Sequence, residues 1–83
     1  MLTLYVGTGC PYSQAVLHKV NELGLDVEEK NIADESVAEE LIKRGGKLQT
    51  PYLVDEEHNA ELYESGDIVD HLERYYALGT AEA

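Results

Sequence analysis

Hydrophobic and polar positions along the chain follow two periods. Leu2-Thr3-Leu4-Tyr5-Val6 alternates at period two and is ended by Gly7. It predicts a strand with Leu2, Leu4 and Val6 on one face and Tyr5 on the other. After the Gly7-Thr8-Gly9 loop, Pro11 suits a first helical turn, where a missing N–H costs nothing. Ala15, Val16, Val20 and Leu23 then recur at helical spacing, and Gly24 supplies a stop. Leu25 to Ile32, with Leu25, Val27 and Ile32 set among acidic residues, predicts a second strand. A second helix is expected from Asp34 to Ser36, residues that can cap it, with Glu39 three positions after Ser36. Val37, Leu41 and Ile42 form its apolar stripe. Lys43 and Arg44 precede Gly45-Gly46, where positive charge complements the helix dipole.

Pro51 to Val54 predicts a third strand with proline at a permitted first position. Asp55 to Asn59 is expected to turn the chain, and Ala60 to Tyr63 to return as a fourth strand. Ser65 is expected to cap a last helix with Ile68, Val69, Leu72, Tyr75 and Tyr76 on one side. Residues 78–83 are expected to fray. The order β-α-β-α-β-β-α predicts an α/β sandwich over residues 1–83 with a four-stranded mixed sheet. Its first two strands are parallel through a right-handed crossover, and its last two form an antiparallel hairpin.

Composition narrows the function classes. Eighty-three residues make one small domain with one modest core. Seventeen acidic against six basic residues give a net charge of −11, which argues against nucleic-acid partners and a polybasic membrane anchor. The acidity reads first as a solubilising surface, with adaptation to high salt as the sharper alternative. One cysteine rules out an internal disulfide, no apolar run approaches the ~20 residues of a membrane span, and Met1 to Val6 lacks a signal peptide's basic start. A reduced, cytoplasmic monomer is the expectation.

Cys10 changes the picture. A lone cysteine is most often a small buried hydrophobe. This one sits between a strand and a helix, in Cys10-Pro11-Tyr12-Ser13. A thiol at a helix N-terminus faces unpaired N–H groups and the positive end of the dipole, both of which favour the thiolate. Such surroundings lower a cysteine pKa from ~8.5 into the range ~3.5–7.5, which suits a nucleophile. His18, His58 and His71 show no ligand spacing with each other or with Cys10, so no metal site is expected.

The Cys10-Pro11-Tyr12-Ser13 segment after a first strand resembles the active site of glutaredoxins, with serine where dithiol members carry a second cysteine. Gln49-Thr50-Pro51 resembles that family's Thr-Val-Pro segment, and Tyr63-Glu64-Ser65-Gly66-Asp67-Ile68 stands where its second glutathione-binding turn lies. The Glu64-Ser65 pair is closer to the N-terminal thioredoxin-fold domain of glutathione transferases. The resemblance implies a thioredoxin-like fold and a monothiol oxidoreductase that reduces protein–glutathione mixed disulfides. Glutathione is then the cosubstrate, glutathionylated proteins are the partners and Cys10 is the nucleophile. It also implies a cis peptide bond before Pro51, main-chain pairing of Thr50 with glutathione, and Tyr12 as an exposed aromatic shielding the thiol. Gln49, Glu64, Ser65, Gly66 and Asp67 complete the binding set. Lys47 corresponds to a family basic residue facing the glycyl carboxylate. Lys43, Arg44 and Lys47 are half of the six basic side chains, so an anionic tripeptide is expected beside them. Ser65 as a helix cap, Asp67 as a first-turn acid and Lys47 as a solvated loop residue are the purely structural alternatives.

Two departures bear on mechanism. Gly7 occupies the position, three before the cysteine, where many glutaredoxins have a lysine, so the helix terminus carries more of the thiol's activation. Ser13 cannot resolve a mixed disulfide. Two other functions stay open. Two Cys10 thiolates and two glutathiones could hold a [2Fe–2S] cluster as an iron–sulfur carrier. The chain could also be a non-catalytic, transferase-like domain that binds glutathione or a protein.

Overall fold

The computed structural model describes residues 2–76. The elements are β1 (Leu2–Val6), α1 (Pro11–Leu23), β2 (Val27–Asn31), α2 (Glu35–Gly45), β3 (Tyr52–Asp55), β4 (Ala60–Leu62) and α3 (Ser65–Tyr76). The sheet order is β2-β1-β3-β4, with β1 parallel to β2 and the other two pairs antiparallel. This is the α/β sandwich with a four-stranded mixed sheet expected from the element order, in the thioredoxin-like form that the family resemblance implies. The expected fraying of residues 78–83 lies outside the described residues. No helix among the described residues is long and apolar enough to cross a membrane.

Period-two patterning in β1 divides the core. Leu2, Leu4 and Val6 pack with Leu53, with Val16 and Val20 of α1 and with Ile68 and Leu72 of α3. On the opposite face Tyr5 joins Tyr52, Val54 and Leu41 of α2. Each fully buried aliphatic side chain contributes roughly 1.5–3 kcal/mol. The two buried tyrosines carry their hydroxyls to the rim, where Tyr5 donates to Glu40 and Tyr52 to Glu61. Burial and then the hydrogen bond to Glu40 push the Tyr5 phenol up to about 12. Lys30 also holds Glu40, at 2.8 Å, so edge strand β2 is tied to α2 through a charged pair.

Several boundaries move for local reasons. Gly24 adopts φ 66° and its N–H caps α1 as expected. Leu25 N–H then bonds Val20 O at 3.0 Å, which delays β2 to Val27. Asp34 caps α2 by accepting from Ser36 N–H at 2.9 Å, and the Ser36 hydroxyl also donates to it. β3 starts at Tyr52, after Pro51. Ile42 is 46% exposed and Tyr75 41% exposed, so neither belongs to a buried stripe. Ile42 lies about 100° around the helix from fully buried Leu41, which turns it away from the sheet.

Asp55 is the larger correction. Expected in the turn, it is the last residue of β3, paired with Leu2 and Ala60, and only 1% exposed. A buried carboxylate demands compensation. Its Oδ2 lies 2.7 Å from His71 Nε2 and 2.8 Å from His58 Nδ1, and accepts from the Tyr76 hydroxyl at 2.9 Å. Burial pushes the carboxyl pKa up, but His71, Tyr76 and His58 outweigh it and hold the group at about 2. The β3–β4 turn and the C-terminal half of α3 therefore meet on one oxygen.

Gly46 caps α2 in the left-handed region, at φ 92°, whereas Gly45 before it is required by packing. A Cβ there would stand 2.0 Å from the Tyr63 hydroxyl and 2.7 Å from its ring carbon. The Tyr63 ring stacks on Tyr52 at 4.3 Å, and its hydroxyl donates to Lys47 O at 2.8 Å. Gly45→Ala should destabilise the fold by about 1–3 kcal/mol despite alanine's better helix propensity. Gly66→Ala, with open space around its Cβ position, should be near neutral. Urea unfolding of the two variants measures the contrast.

Candidate functional site

Beyond the C-terminal end of β1 the chain loops through Gly7-Thr8-Gly9 and places Cys10 at the N-cap of α1. The Cys10 backbone is extended, at φ −81° and ψ 113°, while its carbonyl accepts from Gln14 N–H at 3.1 Å and starts the helix. The thiol is half-buried and lies 3.9 Å from the Thr50 carbonyl oxygen, to which it donates. The Ser13 hydroxyl leads in lowering its pKa, followed by the Ser13 N–H. Partial burial opposes them, and contacts with Thr50 and the Tyr12 N–H add to the lowering; the net value is about 7. Ser13 is 1% exposed, and its Oγ accepts from Gly7 N–H at 3.2 Å, leaving its own proton free for the sulfur. Serine therefore has a positive role here, as a thiolate donor, where the family comparison marked only a missing second cysteine.

Gly7 also has a physical reason. A Cβ at this position would come within 2.9 Å of Thr50 Oγ1. Any side chain there, a lysine included, presses on the segment that faces the thiol.

The Thr50–Pro51 peptide bond is cis. Tyr12, Gln49, Thr50, Pro51, Glu64 and Ser65 line one cleft of about 470 Å³. Tyr12 is 64% exposed at its mouth, as the family resemblance implies. Ser65 belongs to α3 itself, so the cap position falls to Glu64, whose carbonyl accepts from Ile68 N–H at 2.9 Å. The N–H groups of Ser65 and Gly66 then belong to the first turn of α3, whose N–H groups have no partner within the helix. Such a terminus is suited to a carboxylate.

Three predicted groups stand apart. Lys47 Nζ lies over the Tyr63 ring, 4.7 Å from its centroid, outside the cleft lining. Asp67 lines a different cleft with Asp70, His71 and Tyr75. Lys43 and Arg44 flank Ser36, Glu39 and Glu40 on α2, and Arg44 reaches Glu61 at 3.9 Å. The expected basic cluster therefore does not gather at the cleft beside the thiol.

Comparison with known proteins bears on the family and the fold. The family model described as "Glutathione S-transferase, N-terminal domain" matches residues 4–80. No curated protein matches the chain. Among solved structures, an epsilon-class glutathione S-transferase from housefly is similar at 27% identity and TM-score 0.75, covering 93% of this chain and 36% of that one. A glutathione transferase homologue from Sulfitobacter, with bound glutathione, is similar at 26% identity and TM-score 0.77, covering 96% and 39%. Ure2p in complex with glutathione is similar at 26% identity and TM-score 0.76, covering 96% and 35%. The chain thus spans little more than a third of each. Of the two families that the motifs resemble, the match falls on the one suggested by Glu64-Ser65.

The thiol's surroundings set a pH profile. Alkylation of Cys10 should reach half its plateau rate near pH 7, rising with pH as the thiolate forms, whereas an unperturbed thiol titrates near ~8.5. Ser13→Ala removes the leading donor and should move the midpoint upward. Iodoacetamide kinetics across pH measure both.

Proposed function

We propose, for a chain that belongs to the glutathione S-transferase N-terminal domain family, a glutathione-binding thioredoxin-fold domain that exchanges thiols through Cys10. The observation that carries this reading is the half-buried Cys10 thiol beside the Thr50 carbonyl, next to the cleft of Tyr12, Gln49, Thr50, Pro51, Glu64 and Ser65. The main chain of Thr50 is available to pair with the cysteinyl part of glutathione. The first-turn N–H groups of Ser65 and Gly66 suit its γ-glutamyl carboxylate. Neither Lys47 nor Asp67 is required for this binding.

The exchange balances with glutathione as the reducing thiol. The Cys10 thiolate attacks the glutathionyl sulfur of a glutathionylated protein, forming a Cys10–glutathione disulfide and releasing the protein thiolate, which takes a proton from solvent. The thiolate of a second glutathione attacks the same glutathionyl sulfur, releasing oxidised glutathione and restoring the Cys10 thiolate. Ser13 donates to the sulfur but forms no disulfide, so the route is monothiol. A thiol with pKa about 7 is both substantially ionised at neutral pH and a good leaving group.

Binding without turnover is the second reading, favoured by the family match, which falls on a transferase N-terminal domain over residues 4–80. Amide NMR with reduced glutathione and turnover of a glutathionylated peptide separate the two. Glutathione should shift the Gln49, Thr50, Ser65 and Gly66 amides in both parent and Cys10→Ser, while only the parent turns the peptide over. Turnover surviving Cys10→Ser would falsify the exchange; the same shifts with no turnover by the parent would leave the binding domain alone.

A further inference from the structure

A second cluster of chemistry-bearing side chains lies at the other end of β1. Asp55 pairs with Leu2 at the start of that strand, whereas Cys10 follows its far end. The four residue steps from Leu2 to Val6, about 13 Å, separate the two ends. Asp55 comes from β3, His58 from the β3–β4 turn and His71 from α3. Separations of three and sixteen residues from Asp55 explain why spacing in the sequence does not reveal them as a set.

We propose that Asp55, His58 and His71 form a site for one divalent transition-metal ion of the zinc type. One ligand atom from each residue, a carboxylate oxygen and an imidazole nitrogen from each histidine, lies within 4.8 Å of the others. Two imidazoles and one carboxylate are a donor set suited to zinc and its neighbours, leaving a fourth position for water. With metal–ligand distances of about 2.0–2.2 Å, tetrahedral ligands stand about 3.3 Å apart. The observed 2.7 and 2.8 Å contacts to Asp55 Oδ2 therefore need to open by only about half an ångström.

The surroundings hold these donors in place. Asp55 Oδ1 accepts from the His58 N–H at 3.3 Å, which fixes the carboxylate, and the Tyr76 hydroxyl donates to Oδ2 at 2.9 Å. These are the hydrogen bonds that orient a ligating carboxylate from outside. The His58 ring packs on Tyr75 at 4.1 Å and 34°, and the His71 ring meets Tyr75 at 4.8 Å. Asp55 is closed to solvent, His71 is 9% exposed and His58 is 30% exposed, so the ion is reached from the His58 side.

The orientation of the two rings also suits the ion. Each histidine presents to Asp55 the nitrogen that would bind metal: Nδ1 of His58 and Nε2 of His71. The site keeps one positive charge, in a chain of charge −11 with Glu56 and Glu57 beside it in the turn.

The test uses the untagged full chain in a Cys10→Ser background, stripped with chelator, so that the thiol cannot compete. Cobalt(II) should bind one ion per chain with the intense visible bands of tetrahedral coordination. Zinc should compete for it, shift the His58 and His71 ring signals in NMR and raise the thermal midpoint with concentration. His71→Gln and His58→Gln should each weaken zinc at least about 10-fold by calorimetry. Should His71→Gln unfold, His58→Gln, at a more exposed position, still decides. Histidine signals unmoved by millimolar zinc, or His58→Gln binding as tightly as its parent, would leave only a metal-free hydrogen-bonded clasp and overturn the proposal.

Discussion

The buried carboxylate of Asp55 is the constraint on which the arrangement depends. Placed in the ladder between Leu2 and Ala60 and closed to water, it requires donors from elsewhere in the fold. His58 supplies one from the adjoining turn, and His71 and Tyr76 supply two from α3. Together with Ile68 and Leu72 in the apolar core, they fix the axis of α3 against β3. The other end of that helix then presents Ser65 to the cleft beside Cys10. A charged group at one pole of the sheet thus helps position backbone donors at the opposite pole.

The thiol's activation shows how a helix terminus is made to act on a side chain. Proline at the first helical position and an extended Cys10 start α1 at the end of the loop after β1. Ser13, one turn in, is held by Gly7 N–H through its oxygen and so keeps its proton for the sulfur. Gly7 also admits the Thr50 side chain to within a distance that any Cβ would contest. The lowering of the thiol pKa thus comes first from Ser13, with no charged side chain among its leading causes.

Much of this was legible in the chain. The alternation in β1 identifies which residues face α1 and α3 and which face α2, because a strand has two faces and a one-residue slip would exchange them. The position of Cys10 before Pro11 identifies the thiol at a helix start. The Gln49-Thr50-Pro51 and Glu64-Ser65 segments do converge on one cleft. Less legible were the roles of side chains that act across the fold. Asp55 reads as a turn residue, since aspartate favours turns and nothing local shows that it is buried. Gly45 reads as a helix stop, although its contact with Tyr63 comes from a different element. The basic residues 43, 44 and 47 read as a patch, but successive positions on and after a helix point in different directions.

Sequence by itself determined the element order, the division of the strand faces and the thiol at the start of α1, because period, proline and glycine act over a few residues. Tertiary structure alone decided which groups meet: Thr50 with Gly7, Tyr63 with Gly45, and Asp55 with His58, His71 and Tyr76. Those contacts are set by the packing of α2 and α3 on the sheet. Their energies depend on burial and on partners distant in the chain, and neither is encoded in any short stretch of residues.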